Sequence, residues 1–587
     1  MIVYDDRGRT STGHDAWRDA HLRVARSDAE CTPDTLTAAL IAFGELESGV
    51  ADALCPARDD WQPLLARLRE ISETLGAACA AAAEDDTPHA RGLARTAVVT
   101  SEALAAIDWP PVRLRTPEGY AYYGLYPEAY ADAVVRWAAD VRPERVVCLG
   151  LRSIGTSLSA MAAGALRRHG FNVRSWTVRP RGHPFDRRVV LAPDLLSRLA
   201  LWESTVLVVD EGPGLSGSSL TGAAAAIAAA GVPDERILFV PAWRPEAERF
   251  VSSAAAARWA RHGAIVPAFD IVRRALVCAG VVPADATEIS AGEWRRRLHL
   301  APPWPAAHPQ HERRKFLFQT NGVRPPANLA IARFAGLGRY GEETARRAAA
   351  LSAAGWTTPP VRFARGFLAQ EFAAGEPVDA SRVTEAFVRH ASRYVAWLRR
   401  HASCSDAAPV ERLAEMLVCN TQETLGREWI QAAETLARDA SRFDEPATAV
   451  DGRLQPHEWI ATRAGWIKTD ALDHHRDHFF PGPVDAAWDV AGLAIELTAG
   501  TPCGPLANDV ARFVLDEYVR VSGDTRLAAR LPFYTAAYCA FRSGYCSLAA
   551  GTLRGTGDAP RFDALAAAYR RRLQATLTSA RGAPSAR

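Results

Sequence analysis

Residues 206 to 220, VLVVDEGPGLSGSSL, set two adjacent carboxylates, Asp210 and Glu211, between an apolar strand-like run and a turn of glycines and serines. Each part has a physical use. Gly212, Gly214 and Gly217 permit a positive-φ backbone that can approach an anion closely. The N–H groups of such a turn, with the positive end of the helix that follows, favour phosphate. Ser216, Ser218 and Ser219 add hydroxyl donors, and Asp210 and Glu211 accept hydrogen bonds from neighbouring sugar hydroxyls. One end of the stretch suits a phosphate, the other a ribose. A second strand, polar turn and helix run through RVVCLGLRSIGTSLSAMAAGAL, residues 145 to 166, where Arg152 adds a cation and Gly155 permits the turn. Two anion-binding turns suit the two phosphate ends of one ligand. Between them VRPRGHPFDRR, residues 178 to 188, gathers Arg179, Arg181, Arg187 and Arg188 around His183 and Asp186, stiffened by Pro180 and Pro184.

Over about residues 115 to 290 this pattern resembles the phosphoribosyl-pyrophosphate (PRPP) motif of type I phosphoribosyltransferases. There, hydrophobic residues precede an acidic pair and a Thr/Ser–Gly phosphate loop. The resemblance implies that Asp210 and Glu211 meet the ribose 2′ and 3′ hydroxyls and the Mg²⁺ that accompanies PRPP. It implies that Gly214, Ser216, Gly217, Ser218 and Ser219 hold the 5′-phosphate, and that Arg152, Ser153, Gly155 and Thr156 line the pyrophosphate loop. Arg179, Arg181 and His183 would lie on a mobile loop that closes over the leaving pyrophosphate. The insert Gly212-Pro213-Gly214-Leu215 is one residue longer than the usual spacing. Loss of pyrophosphate leaves an oxocarbenium-like centre at C1, so the protein needs to position an acceptor, stabilise the leaving charge and exclude water. Mg²⁺ would be held chiefly by the ligand's own oxygens. The acceptor is expected to be a base or base-like molecule. Tyr120, Tyr122, Tyr123 and Tyr126 suit core packing, the commoner use, or stacking on a flat ring.

Further along, FLAQEFAAGEPVD, residues 367 to 379, resembles the hinge of aminoglycoside- and choline-kinase-like phosphotransferases, with Glu371 as its acidic residue. The likeness runs over about 314 to 550. It implies that Arg333 meets nucleotide phosphates with Glu342 or Glu343 as its ion-pair partner, that Asp470 binds metal, and that Asp489 is structural. In DGRLQPHEW, residues 451 to 459, the family's catalytic aspartate falls on Arg453 and its metal-binding asparagine near His457 or Glu458. A cation cannot accept a proton from a substrate hydroxyl. Ordinary phosphoryl transfer is therefore not expected, and ATP binding is left to Asp470 and Glu458. The run Asp473, His474, His475, Asp477 and His478 has transition-metal ligand types. Neighbours on an extended strand face opposite ways, so it is read as a polar nucleotide-site wall.

These residues need elements to position them. Short β-branched runs alternate with alanine-rich helices, Thr156 to His169 and Ser219 to Ala230, which indicates βαβ units and a mainly parallel sheet. Ligands bind beyond the carboxyl ends of such strands. The expected fold class is α/β: a helical N-terminal region (1–110), a phosphoribosyltransferase-like parallel-sheet domain (111–290), a proline-rich linker (291–313) and an α+β protein-kinase-like domain (314–580). In the N-terminal region Leu36, Leu40, Phe43, Leu46, Val50 and Leu54 recur at helical spacing, and Glu45, Glu47 and Asp52 read as a solvated face.

The whole chain has 587 residues, 69 Lys+Arg against 67 Asp+Glu, and only Lys315 and Lys468 as lysine. A net charge of +2 supplies no field to gather nucleic acid or an anionic membrane. No apolar run nears the ~20 residues of a membrane span and no signal segment is evident, so a cytoplasmic location is expected. The ten cysteines form no CxxC pair and read as reduced, mostly buried thiols. The function expected from the sequence is PRPP-dependent pentosyl transfer coupled to a nucleotide-binding kinase-like domain. The alternative is a non-catalytic regulator that binds nucleotide or PRPP and carries a pseudokinase domain.

Overall fold

The computed structural model describes residues 2, 8–200, 203–214, 216–246, 250–297, 304–320, 329–379, 383–404, 410–443, 445–498 and 509–582. Leu215 of the insert, and Pro302 and Pro303 of the expected linker, lie outside the described residues.

Four helices open the chain: Gly13–Glu30, Pro33–Leu54, Pro63–Ala83 and Thr87–Glu102. Thr32 and Thr35 form a reciprocal capping box at the start of the second, and Pro33 occupies its first turn, where a missing N–H costs nothing. Leu36, Leu40, Phe43 and Val50 have no exposed surface. The carboxylates of this helix do not form a solvated face. Glu45 and Glu47 are buried, because Glu45 pairs with Arg339 at 2.8 Å and Glu47 accepts from Ser72 at 2.5 Å beside Arg69.

The central sheet has five parallel strands in the order Val173–Val178, Val146–Leu151, Thr205–Val209, Ile237–Val240, Gly263–Ala264. From 146–151 the chain steps to one edge, then crosses back to 205–209 on the other side. The strand order therefore reverses between 146–151 and 205–209, the kind of switch point at which open α/β sheets bind ligands. Helices Gly155–Arg168 and Ser218–Ala229 begin just beyond these two strands. Close approach dictates two glycines here. A Cβ on Gly150 would lie 2.1 Å from the Gly155 carbonyl oxygen, and one on Gly155 would lie 2.5 Å from that of Val209.

Alternate side chains of the sheet enter different cores, as the two-residue strand period requires. Val147, Leu149, Val206 and Val208 pack with the N-terminal helices. Val146, Cys148, Leu207 and Val209 pack in a core that also holds Tyr120, Tyr126 and Tyr130 and reaches Phe316, Phe334 and Phe367 of a second sheet. That sheet is antiparallel, in the order Pro360–Ala364, Phe367–Glu371, Leu329–Phe334, Lys315–Gln319, Thr287–Glu288. A large helical core follows it, built around Trp459, Trp488, Tyr394 and Tyr538.

The described residues of the stretch expected as a linker, 291–297 and 304–313, are tied to this last unit. Arg295 pairs with Asp558 at 2.7 Å, His308 contacts Thr552 at 2.9 Å, and His311 contacts Tyr545 at 3.1 Å. The nine described cysteines are free thiols, six of them buried. Among the described residues no helix is long and apolar enough to cross a membrane.

Because the switch-point turn has no room for a methyl group at residue 150, Gly150→Ala should lower unfolding stability by about 1–3 kcal/mol through overpacking. Urea denaturation against wild type measures this. An unchanged midpoint would contradict the tight turn.

Candidate functional site

The two turns anticipated from sequence emerge side by side, from directly paired strands. Asp210 and Glu211 stand at the end of 205–209, half-buried. The backbone around them is tied down at several points. Asp210 N donates to Val240 O at 3.2 Å, Ala242 N to Gly212 O at 3.1 Å, and the Tyr130 hydroxyl to the Asp210 carbonyl at 3.1 Å. The Glu211 carboxylate accepts the Gly119 N–H at 2.6 Å. Burial pushes the Asp210 carboxyl up to about 6, against partial relief from backbone N–H groups and the nearby Arg179 and Arg187. Burial, reinforced by the neighbouring charges of Glu118 and Asp210, raises Glu211 well above its ordinary value. Three acids thus crowd a partly desolvated strand end, an environment that favours any cation or hydroxyl donor placed among them.

Beyond the acids, Gly217 takes φ 62°, and Gly217 N closes the turn on Gly214 O at 3.0 Å. Ser216 and Ser218 hydroxyls lie 3.0 Å apart, and the Ser218 hydroxyl donates to Pro184 O at 2.6 Å. Ser219 is half-buried on the first turn of the helix. The 178–188 loop is accordingly docked on this turn. Arg181 and Arg188 pair their backbones through two hydrogen bonds of 2.8 Å, and His183 and Phe185 are exposed at its tip.

At the other turn, Ser153 is half-buried, while Thr156 is buried and donates its amide to Ser153 O at 3.1 Å. Arg152, expected as an open cation, is instead buried, bound to Asp59 and 3.1 Å from Asp52. Arg179 and Arg181 are likewise committed. Arg179 pairs with Asp52 at 2.5 Å, and Arg181 meets both Asp59 oxygens at 2.9 and 3.0 Å. The cause is the N-terminal region, which presents both aspartates to this loop. Three arginines against two aspartates still leave one positive charge in excess beside the turn. Arg187, Glu118, Gly119 and Tyr130 are the site residues that sequence reasoning did not select. Only the arginine carried a signal, its place in the basic loop.

Asp210 and Glu211 are oxygen donors of the type Mg²⁺ takes, and one Glu211 oxygen already accepts an amide; with no third ligand arranged beside them among the described residues, a metal there would rely on the oxygens of a phosphorylated ligand.

The site in the last unit is closed by charge. Arg333 binds Asp470 at 2.5 Å and also binds Asp473, while Glu342 pairs with Arg23 and Arg26, and Glu343 with Arg476. The anticipated Arg333–Glu342/343 pair is therefore replaced, since the N-terminal helix and Arg476 compete for those acids. Glu458 is buried against Lys468 at 3.0 Å, and Lys468 also faces Asp451 at 3.5 Å. His474 bridges Asp451 and Asp470. Burial alone would lower its pKa, but the charge of Asp470 and the hydrogen bonds to Asp451 and Asp470 together outweigh that and raise it to about 9. Arg313 adds a contact to Asp473 at 3.3 Å. Arg333, Lys468 and His474 thus occupy the carboxylates of Asp470 and Glu458, which do not fit a divalent metal in this arrangement, and no step is routed through one there.

Around that cluster, Asp489 accepts the amides of Asp451 and Gly452 at 2.7 and 2.9 Å, which fixes the loop that carries Arg453. At the hinge, Glu371 is exposed, and the Glu371 and Phe372 amides already donate to Pro359 O and Leu329 O at 3.0 and 2.9 Å. Asp473, His474 and His478 are spent on different partners. Among the described residues no group of three His, Cys, Asp or Glu is arranged to hold a metal ion.

No protein-family model matches the chain, and no curated protein matches it. Solved structures do resemble part of it. Choline kinase LicA from Streptococcus pneumoniae aligns at 12% identity over 53% of this chain and 98% of its own, with a TM-score of 0.34. A choline/ethanolamine kinase family protein from Mesorhizobium loti aligns at 13% identity over 50% and 99%, with a TM-score of 0.32. Macrolide 2′-phosphotransferase MphH from Brachybacterium faecium aligns at 14% identity over 45% and 91%, with a TM-score of 0.30.

The raised Asp210 pKa has a stability consequence. With the folded value near 6 and the ordinary value 3.8, the folded state holds the proton more tightly, so stability falls as pH rises from about 4 to about 6. Asp210→Asn removes that loss. Its melting temperature should exceed wild type at pH 7.5, with the gap closing by pH 4. A pH-independent gap would refute the desolvated carboxylate.

Proposed function

We propose that the chain transfers a pentosyl group from PRPP, with Mg²⁺, to a base or base-like acceptor and releases pyrophosphate. One observation carries this reading: two glycine-bearing turns leave adjacent parallel strands at the switch point, with the Asp210–Glu211 pair beside them. On this reading the acids accept the ribose hydroxyls and share the metal. The 214–219 turn, its amides at a helix start, takes the 5′-phosphate. The 151–156 turn takes the pyrophosphate, and the excess positive charge of the Arg152, Arg179 and Arg181 cluster acts on it through space rather than by contact. Arg187, on the loop docked over the site, is the arginine left to follow the leaving group. The catalytic demand is positional and electrostatic, with no covalent nucleophile.

On the same reading the last unit is kinase-like in form and carries no kinase chemistry. The alternative, a PRPP-binding regulator without turnover, draws support from the same three arginines, which are committed to Asp52 and Asp59.

Incubating the purified protein with PRPP, Mg²⁺ and a panel of bases, with released pyrophosphate as readout, separates the two. Transfer predicts release that drops by about 100-fold or more in Asp210→Asn. Binding without release selects the regulator. Arg453→Asp should leave ATP turnover at background, because Lys468, Arg333 and His474 still neutralise the acids around it. Appreciable turnover in that variant would overturn the charge-closed reading.

A further inference from the structure

The Gly119–Tyr123 turn touches the acidic pair on one side and the last unit on the other. Gly119 holds Glu211 through its amide at 2.6 Å, and a Cβ at that position would lie 2.9 Å from Glu211 Oε2, so the two stand in close contact. Four contacts from the last unit hold the same turn. His478 Nδ1 stands 2.8 Å from Glu118 Oε2. Leu337 N donates to Tyr120 O at 2.9 Å, Arg313 donates to Ala121 O at 3.3 Å, and the Arg313 guanidinium lies 4.9 Å from the Tyr122 ring centre. The His478 ring is itself fixed by Phe479, Tyr123 and Tyr122, with ring centres at 4.6, 5.9 and 6.2 Å.

We infer that His478 is a positioning residue for the acidic pair: through Glu118 and Gly119 it orients Glu211, so the sugar-binding site is complete only with the last unit docked. This rests on the PRPP reading above. It gives the kinase-like unit a task that needs no nucleotide. Glu118 without His478 would be a third acid facing Glu211 with less to hold it in place, and the turn would lose the anchor adjacent to Gly119. The effect is one of geometry at Glu211, since His478 itself is not placed against the sugar.

The test uses the full chain. PRPP with Mg²⁺ is titrated calorimetrically, and amide exchange is followed on the peptide covering 118–123. His478→Ala and His478→Phe should weaken PRPP binding by roughly tenfold, the range of a lost polar contact, and speed exchange in the 118–123 peptide while the rest of the chain exchanges as wild type. His478→Asn, which keeps an N–H near the Nδ1 position, should stay within about twofold of wild type. Wild-type exchange in His478→Ala, or rescue by Phe but not by Asn, overturns the inference. If wild type fails to bind PRPP while exchange follows the expected pattern, the PRPP reading falls and the positioning role stands.

Discussion

Two aspartates, Asp52 and Asp59, take three arginines out of water, and the arrangement of the central site depends on that exchange. Arg152 leaves the first switch-point turn, while Arg179 and Arg181 leave the loop between the turns, and all three end on one patch of the N-terminal region. Buried ion pairs gain little net stability over apolar packing, but removing one partner strands a charge at a cost of about 3–5 kcal/mol. The cluster is therefore a device of specificity more than of stability. It ties the N-terminal helices to the first turn and to the 178–188 loop. Its third arginine leaves positive charge beside the 151–156 turn, where the Gly155–Arg168 helix begins.

The same physics has a different outcome in the last unit. There cations pair with the buried acids, and the pairing takes up Asp470 and Glu458, the two carboxylates the sequence offered for a metal. A divalent ion would have to displace Lys468 from Glu458, or Arg333 and His474 from Asp470. Residues 304–311 pack over the neighbouring surface, with His311 against Phe479 and Tyr545. What the unit offers its neighbour is a shaped polar wall, and the Gly119–Tyr123 turn is seated on it.

Much of this was legible in one dimension. The 146–151 and 205–209 strands, and the helices after the two turns, fall within a residue or two of where the apolar runs and alanine-rich stretches place them, because those signals are local. The acidic pair at a strand tip was legible for the same reason. Ion pairing was not. Glu45, Glu47 and Asp52 look solvated on their own helix; Glu45 and Glu47 are buried and Asp52 half-buried where Arg339, Arg69, Arg152 and Arg179 arrive from elsewhere in the chain. Arg333 likewise found Asp470 and Asp473, more than a hundred residues away, ahead of the two glutamates nearest in sequence.

The sequence by itself determined the parallel sheet, its two glycine turns and the carboxylates between them, since periodicity, φ preference and strand-end placement are written within a few neighbouring residues. Only the tertiary structure decided which charges face solvent, which arginines are already paired, and that Glu211 is held by an amide whose turn rests on another unit. Electrostatic partners are chosen by distance in space and by loss of water, and neither quantity is defined until the chain has folded.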